Sequence, residues 1–348
     1  MPKSILINLH NKKVLIKSIQ LLRTVAALGV VFSHYNFYGL DTGGFGVDIF
    51  FIISGFIIAY MVNKNTHNFM LKRIVRIAPL YYIATAFTLS LALFKPEWFK
   101  NVVVNGEAVL KSIFYIPYRI NSSGPILSLG WTLNNEMFFY FVMFVCIVFI
   151  KNKKFLVIAC GSLIGLFLLS LYFTNTNLYV LNFYKKGLLP EFIFGLILYY
   201  FWELYKSKQT LVFTYAALIL GVLSLVFMIF NDLTHEFSFL GRNISRGIPA
   251  LLFVNAFLVL ENYINEENVF IKLGLKLGDA SYAMYLFHPF MVFFLTRLVY
   301  PSTIGKSDFF LIEFFKLIIA FVVVCIGSIL IFEMIDKPIL NWFRKRIK

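Results

Sequence analysis

Charge is what this chain has least of. Only 14% of its 348 residues are Asp, Glu, Lys or Arg, and 17 acidic residues face 32 basic ones. A soluble globular domain carries about 25% charged residues. That class is excluded, because 60% of the chain is hydrophobic and its mean hydropathy is +0.80. Cysteine is scarce too. Cys146, Cys160 and Cys325 fall singly in apolar segments with no CxxC spacing, which rules out a disulfide framework. HExxH, P-loop, GxGxxG and Cys/His ligand spacings are all missing, so no metal is expected. There is no fixed-period repeat and no low-complexity tract. No small-residue cleavage site follows the first apolar run, so the basic N-terminus does not read as a removable signal peptide.

What fills the chain instead is apolar runs of bilayer-crossing length, roughly 17–25 residues each. They fall near 18–38, 47–62, 78–94, 130–150, 155–173, 187–204, 210–230, 247–264, 281–300 and 310–335. The expectation is an all-α polytopic membrane protein of about ten transmembrane helices. It forms a single transmembrane domain over 1–348, with no appended soluble domain. Ten spans put both termini on one side. Placing the N-terminus in the cytoplasm gives 20 basic residues to the inner segments and 9 to the outer ones, which supports both ends inside. The net charge of +15 therefore sets topology and does not mark a nucleic-acid partner. The longest connection, about 95–129, is outside. It reads either as a functional lid or as a half-buried connector.

Ionisable groups within apolar spans are expensive and mark candidate sites. Arg23 and His34 are eleven residues apart, three helical turns plus about 20°, so they leave one face about 16 Å apart. Arg23 also fits a snorkelling arginine, and His34 a helix–helix hydrogen bond. Asp48 follows a Gly-rich break (GGFG) at the start of the second span. It reads as an N-cap, as a carboxylate that orients His34, or both. Glu136 stands about 9 Å into the fourth span, near the expected depth of His34. Its alternative is pairing with a buried cation, and Glu191 is a weaker candidate of the same type. Arg73 and Arg76, at i and i+3 before Pro79, suit bidentate phosphate binding or topology alone. His288, an i+3 neighbour of Tyr285, falls about 10 Å in from the cytoplasmic face. That puts it in a different layer from His34.

Several stretches together resemble the acyltransferase-3 family of integral-membrane bacterial O-acyltransferases. They are Arg23-x10-His34, GVDIFFIISGF (46–56), RIVR (73–76), WTLNNEMFFY (131–140), SYAMYLFH (281–288) and, more weakly, EMIDKP (333–338). From 141 to 280 the likeness is only hydropathic. The family often has Asp-Gly shortly before the first arginine, where this chain has Gln20-Leu21. It usually has Ser where Thr132 stands. Some members carry a fused extracytoplasmic hydrolase-like domain, which is missing here.

The resemblance implies a multi-pass enzyme of the bacterial cytoplasmic (inner) membrane. Acetyl-CoA would be the cytoplasmic donor, and a hydroxyl of a cell-envelope or lipid-linked carbohydrate, such as lipopolysaccharide, the acceptor. Arg23, Arg73, Arg76 and His288 would serve the donor. His34 would act as general base or acyl relay, its tautomer fixed by Asp48 or Glu136. The rival reading is a transporter or flippase of glycan precursors, with the buried ionisable residues as its path. A transporter is expected to show related halves with matching broken spans, and no such symmetry is visible.

Overall fold

The computed structural model describes residues 16–35, 37, 42–100, 102–120, 123–185, 188–299 and 310–347. Lys3, Lys12, Lys13, Lys186, Lys306 and Lys348, counted above for topology, lie outside the described residues, as do Asn121 and Ser122 in the long connection. Helices dominate. In order they are α1 (Lys17–Tyr35), α2 (Phe45–Lys64), α3 (Phe69–Phe94), α4 (Gly106–Ile113), α5 (Gly130–Phe149), α6 (Lys153–Phe173) and α7 (Tyr179–Tyr184). Then follow α8 (Leu189–Tyr205), α9 (Leu211–Thr234), α10 (Ile248–Val259), α11 (Val269–Asp279), α12 (Ser281–Phe294), α13 (Phe310–Ile331) and α14 (Lys337–Arg346).

Each of the ten apolar runs carries a helix among the described residues. Among the described residues, seven helical stretches are long and apolar enough to cross a bilayer. The runs carried by α1, α8 and α12 fall short of that measure. α8 and α12 have 17 and 14 residues, and Lys17, Gln20 and Arg23 dilute the apolar content of α1. The helix expected at 78–94 begins earlier, at Phe69, and runs through Pro79. Lys72, Arg73 and Arg76 therefore stand on a helix face and not in a loop.

The helices start where the local chemistry dictates. Asn105, Asn152, Thr210 and Asn268 cap α4, α6, α9 and α11, each side chain accepting from a first-turn N–H. Proline occupies the first turn of α8, α10 and α14, where its missing N–H costs no helical bond.

α2 is the most enclosed of the seven, with 72% of its apolar window buried against 17% for the stretch Phe310–Arg346. It crosses α8 backbone to backbone. A Cβ on Gly55 would stand 2.2 Å from the Phe192 carbonyl oxygen, and one on Gly195 2.1 Å from that of Ile52. Small residues let membrane helices approach this closely. The long connection folds back on α3, with Tyr81 and Tyr82 donating to the carbonyls of Ser112 and Ile113 at 3.2 and 3.0 Å. Its geometry is that of a packed connector.

Candidate active site

Two histidines meet. His34 is exposed near the end of α1, and its Nδ1 lies 2.9 Å from the carbonyl oxygen of Val30, one turn back. His288 is fully buried on α12, its Nδ1 3.1 and 2.9 Å from the carbonyl oxygens of Met284 and Tyr285. A carbonyl oxygen only accepts, so each ring carries a proton on Nδ1, which in the neutral imidazole leaves Nε2 as the acceptor. The ring centroids are 4.8 Å apart and the rings are edge to face at 75°. The Nε2 of His288 is buried and has no hydrogen-bond partner among the described residues.

This corrects the expectation of two layers. The end of α11, just before α12, is packed on α1: Gly278 lies against Gln20, whose Nε2 donates to Asp279 Oδ1 at 2.5 Å. Depth along α12 is therefore counted from the level of Gln20, about one turn into α1. His34 closes the remaining gap by folding back toward Val30, the direction in which helical side chains lean.

Below the histidines, on the side where α1 begins, lies a cavity of about 690 Å³. Its wall carries Lys64, Lys72, Arg73, Arg76 and Arg344, with Arg23, Glu136 and Tyr140 also lining it. Six cations face one carboxylate. Arg76 is paired, its Nη1 2.9 Å from Oδ2 of buried Asp336. Arg73 has no carboxylate partner among the described residues: one Nη touches the Met61 sulfur at 3.1 Å, and its buried Nε has no partner at all. Among the described residues Arg23 donates to Gln20 Oε1, at 3.3 Å, and has no carboxylate in ion-pair reach. An unpaired guanidinium away from water calls for an anion. The residues present fit a phosphate-bearing donor on that ground.

The cavity also touches Thr132 and Tyr285, whose hydroxyls hydrogen-bond at 2.7 Å. The Tyr285 ring lies 6.3 Å from that of His288. One hydrogen-bonded pair thus stands between the cationic cavity and the two imidazoles.

The carboxylates expected beside His34 are elsewhere. Asp48 is not the N-cap of α2, which is Gly44, and it does not reach the histidine. It is fully buried and held by two parallel bonds from Arg242 Nε and Nη2, both 2.9 Å. Glu191 approaches the same guanidinium at 3.7 Å, and Arg246 pairs with Asp232 at 2.7 Å. The backbone N–H of Gly43 donates to Asp232 at 3.2 Å. Three buried carboxylates and two arginines thereby join α2, α8, α9 and the π-helical turn Asn243–Gly247. Glu136 faces the cavity, accepting from Ser54 at 3.1 Å and from Tyr140. It does not orient His34 either, because the backbone already does.

Arg23, Arg73 and Arg76, expected together at the donor, line one cavity, and Glu136, expected beside His34, lines it with them. Sequence reasoning missed Asp336, Arg344, Tyr140, Ser54 and the arginines at 242 and 246. The last two were counted as loop charges, although their i, i+4 spacing beside a span was a signal. Among the described residues no group of three or more His, Cys, Asp or Glu is placed to hold a metal ion.

A multi-pass helical membrane protein with a cationic cavity below paired imidazoles is the class these features define. The chain belongs to the acyltransferase-3 family, whose model, described as "Acyltransferase domain", matches residues 16–333. It is 30% identical over 319 residues to the "Exopolysaccharide production protein ExoZ" of Rhizobium meliloti (strain 1021), covering 87% of this chain and 92% of that one. It is 25% identical over 307 residues to the "Peptidoglycan O-acetyltransferase OatA" of Listeria monocytogenes, covering 78% of this chain. A "Putative O-acetyltransferase SACOL0978" of Staphylococcus aureus is 26% identical over 304 residues. The chain spans about half the length of the latter two, 49% of each. No solved structure matches.

Proposed function

We propose that this protein is a membrane O-acetyltransferase that moves an acetyl group from cytoplasmic acetyl-CoA to a hydroxyl of a cell-envelope or lipid-linked carbohydrate. The proposal includes the orientation: ten crossings of the inner membrane by one domain, both termini in the cytoplasm, the cavity open inward and His34 facing out. The observation that carries it is that the cation-lined cavity ends at Tyr285, behind which His288 touches the exposed ring of His34. The names of the relatives support the acceptor class, being concerned with exopolysaccharide and with peptidoglycan O-acetylation.

Arg73 and Arg23, two cavity arginines without a carboxylate partner among the described residues, hold the donor's phosphates, and the cavity leads its thioester toward Tyr285. The Nε2 of His34 takes the proton of the acceptor hydroxyl while the oxygen attacks the thioester carbonyl carbon. A carbon–oxygen bond forms and the carbon–sulfur bond breaks. His288, with its own Nε2 bare, receives the proton from His34 and passes it to the leaving thiolate. The proton thereby passes from the acceptor hydroxyl to the leaving thiolate by way of the two Nε2 atoms, while each Nδ1 keeps its own proton on the backbone carbonyl. General acid–base help of this kind contributes about 10²–10⁴-fold in rate.

The test is transfer of radiolabelled acetyl from coenzyme A to glycan in membrane vesicles. His34→Ala is expected to abolish transfer while inserting at normal levels. Full activity in that variant removes His34 from the mechanism.

A further inference from the structure

The matched family region ends at residue 333, yet the wall of the donor cavity does not. α14 continues α13 through a π-helical turn, Phe332–Asp336, and packs against α3. Leu340, Arg344 and Ile347 line the cavity with Lys64, Lys72 and Arg73. Positions 340, 344 and 347 recur at i, i+4 and i+7, so one face of the helix is turned to the cavity. The anchor is at its base: buried Asp336 pairs with Arg76 at 2.9 Å.

The three basic residues that end α14 are not equivalent. Arg346 stacks on Trp342, its guanidinium carbon 3.5 Å from the ring centroid. Lys345 is exposed and does not line the cavity. Arg344 lines it and has no carboxylate in ion-pair reach among the described residues. A basic helix end at a membrane surface is ordinarily a topology signal. That reading gives all three charges the same work, which their placement does not.

We infer that α14 is the outer wall of the donor site and that Arg344 is a specificity residue for the phosphate end of the donor. It would favour a nucleotide-bearing thioester over one on bare pantetheine. Guanidinium pairs bidentately with phosphate, and a phosphomonoester carries about −1.5 to −2 charge at neutral pH. The inference rests on the acetyl-CoA reading above.

The experiment compares steady-state acetyl transfer in membrane vesicles by wild type, Arg344→Ala, Arg344→Lys and Lys345→Ala. Each is assayed with acetyl-CoA and with S-acetylpantetheine. Arg344→Ala is expected to raise KM for acetyl-CoA about tenfold or more, at unchanged kcat and with KM for S-acetylpantetheine unmoved. Arg344→Lys recovers part of the loss, and Lys345→Ala behaves as wild type. Equal KM values in Arg344→Ala and Lys345→Ala overturn the role of Arg344, with acetyl-CoA use by the wild type intact. A wild type that consumes no acetyl-CoA overturns the underlying activity, and this inference with it.

Discussion

The bare Nε2 of His288 is the most telling single atom in the molecule. A buried nitrogen without a partner costs about 1–3 kcal/mol relative to one that is hydrogen-bonded, and in this protein it stands against a second imidazole. If it passes a proton, His288→Ala loses at least about 10²-fold in kcat. Adding His34→Ala then costs far less than the two losses multiplied. Initial rates of the two single variants and the double variant decide it. A near-normal rate for His288→Ala makes it a packing residue. His34 and Arg23 were legible because an i, i+11 spacing needs only one helix. The pairing of His34 with His288 was not, since it depends on where α12 enters the protein, which α1 and α11 decide between them.

At the scale of elements, the buried ion-pair network of Asp48, Glu191, Asp232, Arg242 and Arg246 fixes how α2 meets α8, α9 and the turn before α10. Removing one partner of a buried pair strands the other, at a cost of about 3–5 kcal/mol. Arg242→Ala would strand Asp48, which accepts both guanidinium bonds and has no exposed surface. The expected outcome is a clear drop in Tm in detergent and less protein in the membrane. Lys206→Ala, on an exposed i, i+3 pair with Glu203, should change neither, since such pairs contribute about 0–1 kcal/mol. An unchanged Tm for Arg242→Ala refutes the network's structural weight. Asp48 was flagged by its position, but its true partner is 194 residues away. No local pattern reports that distance.

For the molecule as a whole, hydropathy located the long apolar helices but not the short ones α4, α7, α11 and α14, because burying apolar surface in lipid needs length and little else. It did not reveal that α3 starts nine residues earlier, or that α14 continues α13 along the cavity wall, since both depend on charged side chains finding distant partners. The proposed orientation places α14 in the cytoplasm and the short turn Pro96–Trp98 outside. In a cysteine-free background, a membrane-impermeant thiol reagent should label Glu97→Cys in intact cells, and Lys345→Cys only after permeabilisation. Both positions are exposed. The reverse pattern would turn the donor cavity outward.

The Nδ1 of His34 leans on the Val30 carbonyl, an atom that every amino acid possesses. Where a catalytic imidazole is steered by an aspartate, one codon change can misalign it. Here the guide is the helix itself, so drift at position 30 leaves the ring aimed as before. On the proposed mechanism, evolution can thus reshape the surface around His34 for new acceptors without unsettling the ring's aim, and a search for histidine–carboxylate pairs will pass such centres by.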